Sequence, residues 1–183
     1  MTGINNYKYA YPLLKQYGMR AVLSPVASLT ERFSQTDEAE QEAWSYCTGR
    51  ELREMADSGV LEMQNHSYDF HELKPRKGCL RMAGETAAAY RQCFLSDTQR
   101  AQDLFVSLGI EAPVCYTYPY GAVNAEAQAL TAVCGFSVTL RCEEGVTALT
   151  RDTACLKSIR RNNRDGRWSS AQFWDALLAQ TEG

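Results

Sequence analysis

The chain has 183 residues, 45% of them apolar and 22% charged, with a net charge of −3, which suits one soluble globular domain, residues 1–183, with a sizeable core. Binding to nucleic acid or to an anionic membrane would need a basic patch, and the nearest group, Arg160, Arg161, Arg164 and Arg167, is broken by Asn162, Asn163 and Asp165. No stretch approaches the ~20 apolar residues of a membrane span, and the segment from Met1 has neither the basic start nor the apolar run of a signal peptide, so the chain as it stands reads as cytoplasmic.

From the amino end, Tyr7, Ala10, Tyr11 and Leu14 share one helical face, and Gly18 stops that helix. Ala21-Val22-Leu23 reads as a short buried strand. Thr48 and Glu51 form a capping-box pair that opens a helix carrying Leu52 and Met55, with Gly59 as its stop. Val60 to Met63 is the next strand and runs directly into Asn65-His66. A long helix follows, with Tyr90, Cys93, Phe94, Ala101, Leu104, Phe105 and Leu108 as its apolar stripe and Gly109 as its end. Val114 to Tyr118 is β-branched and aromatic, hence a strand. Asn124 caps a helix carrying Ala127, Leu130, Thr131 and Cys134, which Gly135 closes. Phe136 to Leu140 and Cys155 to Ile159 read as further strands, and Ser169 or Ser170 caps a last helix with Phe173, Trp174, Leu177 and Leu178. The seven cysteines are scattered and none forms a CxxC pair, so they read as free thiols of a reducing compartment.

Alternation of strands and helices with short connections predicts an α/β fold with a mostly parallel sheet, open or closed into a barrel. In such folds ligands bind at the carboxyl ends of the strands. Two segments carry unusual polar chemistry there: His66 after the second strand, and Pro119-Tyr120-Gly121 after the third. The chain has two histidines, and both lie in His66-Ser67-Tyr68-Asp69-Phe70-His71. Two imidazoles on one loop can converge on one metal ion. On spacing alone, two surface histidines in a polar loop account for the pattern equally well.

The run from Glu51 to His71, a helix, a glycine turn, a strand and then His-Ser followed by a second His, resembles the second motif of the polysaccharide deacetylases, the NodB-homology family. The step from His66 to His71 is similar to that of the branch acting on poly-N-acetylglucosamine and related polymers. Asn6 to Ala21, Arg76-Lys-Gly-Cys79, Gly84-Glu-Thr86 and Tyr90 resemble other family segments. So does Tyr116-Thr-Tyr-Pro-Tyr-Gly121, the third motif. The resemblance implies a distorted (β/α) barrel with its first strand missing. It also implies a divalent metal, zinc by preference, held by His66 and His71, and an oxyanion site at the backbone amide of Tyr120. Tyr68, Tyr118, Pro119 and Gly121 would line the sugar site, and the partner would be an N-acetylated polysaccharide or oligosaccharide.

Departures from the family pattern qualify that expectation. The family's first motif, Phe-Asp-Asp-Gly, supplies a base and a third metal ligand, and here Met1-Thr2-Gly3 stands at its place. A late family histidine has no counterpart. The expected metal is therefore weakly bound or absent, and hydrolysis is impaired. Asp69, Glu143 and Glu144 are the nearest substitutes for the base, although Asp69 reads better as a cap on loop amides and Glu143-Glu144-Gly145 as a turn. The alternatives are a non-catalytic module that binds glycan or a partner on the same fold, and a start site placed too far downstream in a deacetylase gene. An unpaired sheet edge left by the missing strand would favour a homodimer. The family usually works outside the cytoplasm.

Overall fold

The computed structural model describes residues 3–36 and 45–181. Met1 and Thr2, on which one reading of the missing first motif falls, lie outside the described residues. Four strands of three residues each, β1 (Ala21–Leu23), β2 (Leu61–Met63), β3 (Cys115–Thr117) and β4 (Val138–Leu140), carry the sheet. β1 pairs with β2 and β3 with β4, both in parallel. Asn65 joins the two pairs: its N–H donates to the Cys115 carbonyl at 2.9 Å and its carbonyl accepts from Thr117 at 2.8 Å. The strands therefore follow one another in space as they do in sequence, the arrangement of a singly wound barrel arc rather than a doubly wound sheet.

The expected strand from Cys155 to Ile159 is not formed. Thr153–Leu156 makes a tight helical turn, opened by Asp152 accepting the Ala154 N–H at 2.9 Å, and Ile159 alone bridges to Leu140 in parallel. Asp152 offers the backbone a local bond that competes with the ladder.

Helices cover the outer face of the arc. After a π-helical turn (Asn6–Ala10), α1 spans Tyr11–Gln16, α2 Ala27–Gln35, α3 Gly49–Asp57, α4 Ala87–Ser107, α5 Ala125–Val133 and α6 Ser170–Ala179. The capping box of α3 is formed as expected, with Thr48 Oγ1 accepting the Glu51 N–H and Glu51 Oε2 accepting the Thr48 N–H. Asn124 caps α5 in the same way, through the Ala127 N–H at 2.9 Å. Because side chains alternate along a strand, Leu61 and Met63 face the helices together, packing with Leu52, Met55 and Phe105. A second core gathers Phe70, Tyr90, Phe94, Tyr116, Tyr118 and Leu130. α4 contributes to both, so this one helix of roughly 30 Å ties the two halves of the arc together.

The opposite set of side chains lines the inner face of the arc. Ser24 Oγ meets Thr117 Oγ1 at 2.8 Å, and both hydroxyls lie 3.5 Å from Gln64 Oε1. Val22, between Ala21 and the buried Leu23, is 51% exposed. Among the described residues β1 has one sheet neighbour, β2.

Candidate functional site

Beyond β2 the chain turns sharply, and nearly every amide of the turn finds a buried partner. Asn65 has no exposed surface; its Oδ1 accepts the Ser67 N–H at 2.8 Å, and its amide nitrogen donates to Gln102 Oε1 of α4 at 3.3 Å. Ser67 adopts a left-handed φ of 70°, which a non-glycine residue keeps only where its surroundings fix it. Here they do. Ser67 Oγ accepts the Phe70 N–H at 3.1 Å, and the carbonyls of Ser67 and Tyr68 accept from Ala27 (3.2 Å) and Ser28 (3.0 Å) at the start of α2. The amides of Tyr68 and Asp69 donate to Oδ2 and Oδ1 of Asp97 on α4, at 2.9 and 2.8 Å. The loop is thus capped by a carboxylate, as the sequence suggests, but by Asp97 rather than Asp69. Burial pushes the Asp97 carboxyl up to about 6, against the lowering effect of the two N–H groups it accepts.

That bracing sets the histidines. His66 Nδ1 lies 2.6 Å from the Thr117 carbonyl oxygen. A carbonyl has no proton to give, so the ring donates through Nδ1–H and Nε2 keeps its lone pair. Burial, with His71 adding to it, pushes His66 down to about 4, so the ring is neutral at neutral pH. Burial also lowers His71. The two ring centroids are 5.1 Å apart.

The third component comes from the turn after β3. Pro119–Gly121 forms a tight turn in which Tyr120 has φ 56° and Gly121 φ 65°. The Tyr120 ring stacks on His71 at 4.5 Å between centroids, and its hydroxyl donates to the His71 carbonyl at 3.2 Å while lying 3.3 Å from His71 Nδ1. Two glycines allow this convergence. A Cβ on Gly78 would sit 2.6 Å from the Pro119 carbonyl oxygen, and one on Gly121 would sit 2.6 Å from Cys142 Cβ. The histidine loop, the Pro-Tyr-Gly turn and the segment after β4 meet there.

The structure therefore brings His66, His71 and Tyr120 together, while other expected site residues go elsewhere. Tyr118 is fully buried, its hydroxyl within 2.9 Å of Thr131 Oγ1, and offers a sugar ring no surface. Pro119 is buried as well. Tyr68 points between α2 and α4, where its hydroxyl donates to Glu31 and the Arg100 guanidinium lies 3.7 Å over its ring. Tyr120, 40% exposed, is the aromatic ring open to solvent beside the histidines. The carboxylates considered as substitutes for the base have other partners: Asp69 accepts from Ser28 Oγ, Glu143 pairs with Arg141 and Arg160, and Glu144 accepts the Asn163 N–H.

A neutral pair of imidazoles, one with its proton committed to a carbonyl, fits two ligand positions of a divalent cation. Among the described residues no third His, Cys, Asp or Glu completes a metal-binding group.

The family model for polysaccharide deacetylases matches residues 3–139, a span that contains the histidine loop and the Pro-Tyr-Gly turn. The chain belongs to the polysaccharide deacetylase family. No curated protein matches it. Among solved structures, this deacetylase-family chain is similar to the deacetylase domain of BpsB from Bordetella bronchiseptica, with 26% identity and a TM-score of 0.71 over 87% of this chain and 67% of that one. It shares its fold with a de-N-acetylase from Aggregatibacter actinomycetemcomitans (20% identity, TM-score 0.76, 96% and 72% of the two chains). IcaB from Ammonifex degensii is a further match (20% identity, TM-score 0.73, 94% and 68%). The chain thus spans between 67% and 72% of the length of these three structures. No helix among the described residues is long and apolar enough to cross a membrane.

Proposed function

We propose that this chain recognises N-acetylated glycan of the poly-N-acetylglucosamine type at a divalent-cation site carried by His66 and His71, with N-deacetylation slow. The observation that carries the reading is the pairing of two neutral imidazoles 5.1 Å apart, one of them held by the Thr117 carbonyl. A cation held there, zinc by preference, would supply Lewis acidity toward an acetamide carbonyl and lower the pKa of a bound water. The chain's own residues orient the substrate. The exposed Tyr120 ring is placed to stack on a sugar face, and Gly121, without a Cβ, keeps the turn close to Cys142. In this reading the backbone amide of Tyr120 serves the oxyanion of the tetrahedral intermediate.

Slow hydrolysis follows from the donor set. Among the described residues, the carboxylates nearest by motif, Asp69, Glu143 and Glu144, are bound to other groups rather than free to take a proton from the attacking water. With two protein ligands among the described residues, cation affinity should lie well below that of a three-ligand site. Among the described residues β1 pairs with β2 alone, and its other edge would be open to a second copy.

The test is calorimetric titration of the purified chain with zinc, beside acetate release from N-acetylglucosamine oligomers. Weak binding that is lost in both His66→Ala and His71→Ala, with slow acetate release, is the expected result. Zinc binding that survives either substitution would overturn the assignment of the pair.

A further inference from the structure

We infer that Asp97 is the positioning residue of the histidine loop, a role that rests on reading His66 and His71 as cation ligands. Asp97 lies on the inward stripe of α4, with Phe94 and Ala101 as its helical neighbours, both fully buried. At such a position an apolar side chain is the ordinary choice, and a carboxylate needs partners to remain. Its partners are the successive N–H groups of Tyr68 and Asp69, one on each oxygen. Those amides occupy the middle of the span between the two histidines. These hydrogen bonds run to the loop backbone and not to an imidazole, so Asp97 acts through the backbone and not on a substrate.

The carboxylate is the group this geometry requires. Two N–H donors converge on two acceptor atoms, whereas an amide would present one acceptor and turn an NH2 toward the second N–H. Asn65 and Ser67 serve the neighbouring amides, so removal of Asp97 frees the centre of the loop while its amino end stays tied. His66 is also held by the Thr117 carbonyl. His71, on the far side of the freed amides, is the ring that would move. Asp97 thereby links the separation of the two imidazoles to α4, which spans both cores.

Asp97→Asn, similar in size to the native side chain, tests this when titrated with zinc beside Phe105→Leu, a core variant of the same helix that leaves the loop bonds in place. Phe105→Leu should melt at lower temperature than the native chain. Only Asp97→Asn should lose zinc affinity, by about 10- to 100-fold, the range seen when groups that orient a ligand are removed. Unchanged affinity in Asp97→Asn, or an equal loss in Phe105→Leu, would overturn the inference. If Asp97→Asn does not fold, Asp97→Glu displaces the same two acceptors by one methylene and takes its place. Should the native chain bind no zinc, the cation reading fails by itself, and Asp97 is still tested by proton NMR of the metal-free chain. The ring contact between His71 and Tyr120 should persist in Phe105→Leu and vanish in Asp97→Asn, and its persistence in both would sink the positioning role.

Discussion

The loop from Asn65 to His71 follows β2, and the segment from Arg141 to the end of α6 follows β4, yet they are held by different means. In the first, four successive amides end on side-chain oxygens of Asn65, Asp97 and Ser67. In the second, the side-chain ties include ion pairs of Glu143 with Arg141 (3.0 Å) and Arg160 (2.9 Å), a pair of bonds between Asn162 and the Gly145 backbone, and the Ser158 N–H donating to Thr139 Oγ1 at 2.6 Å. α6 has no buried residue, and Trp174 is 56% exposed. Buried and half-buried bonds specify geometry, because leaving one unmade has a large penalty, whereas exposed ion pairs contribute about 0–1 kcal/mol each. The family match ends at residue 139, before the second region begins.

The largest difference should appear in the packing itself. Phe94 is fully buried, with its ring centroid 5.9 to 6.1 Å from those of Tyr116, Tyr90 and Phe70. Phe94→Ala should destabilise the chain by about 3–5 kcal/mol, read by urea denaturation. Trp174→Ala should change the same midpoint by no more than about 0.5 kcal/mol. Comparable losses would mean that α6 is part of the cooperative unit, and the contrast between the regions would fail.

A second, smaller effect separates the regions by pH. Asp97 rises from 3.8 to about 6 because burial opposes its charge, with Asp69 raising it further and Arg100 and the two amides lowering it. Between those values the folded chain holds more protons at this site than the unfolded one, so this contribution to stability falls as pH rises. It is unfavourable in full above the folded value, by roughly 3 kcal/mol. Urea denaturation at about pH 4 and pH 7 should therefore show a smaller pH-dependent loss for Asp97→Asn than for the native chain. Identical pH dependence would mean that Asp97 titrates alike in the folded and unfolded chains.

The approach of the histidine pair to the Pro-Tyr-Gly turn was legible because both motifs follow parallel strands, and the family resemblance, not the spacing, singled them out. Asp97 was not, because it meets Tyr68 and Asp69 from another element; the one signal was an acidic residue on an apolar helical stripe. Tyr118, assigned to the sugar site by the family resemblance, has its ring inside the second core. α2 escaped notice because Val26 gives it no side-chain cap and its sequence has few apolar residues. The strands were read too long at Val114 and Phe136, which precede the paired residues of β3 and β4.

The finest comparison uses one motif in two settings. Thr48–Glu51 opens α3 and Ser169–Gln172 opens α6, and both are complete capping boxes in which the cap side chain and the residue three positions on satisfy each other's N–H groups. Local bonding alone predicts the same loss on replacing either cap by alanine, about 1 kcal/mol of helix stability. Context predicts otherwise. α3 places Leu52 and Met55 in the first core, so its helical state is coupled to global folding, and Thr48→Ala should lower the urea midpoint by that amount. α6 buries no side chain, so fraying it exposes little that is not already wet. Ser169→Ala should then reduce helical circular dichroism slightly and speed amide exchange between residues 170 and 173, with the midpoint unmoved. A shift of the midpoint equal to that of Thr48→Ala would show that α6 is docked more firmly than its exposure allows, and the second region would join the first as one folding unit.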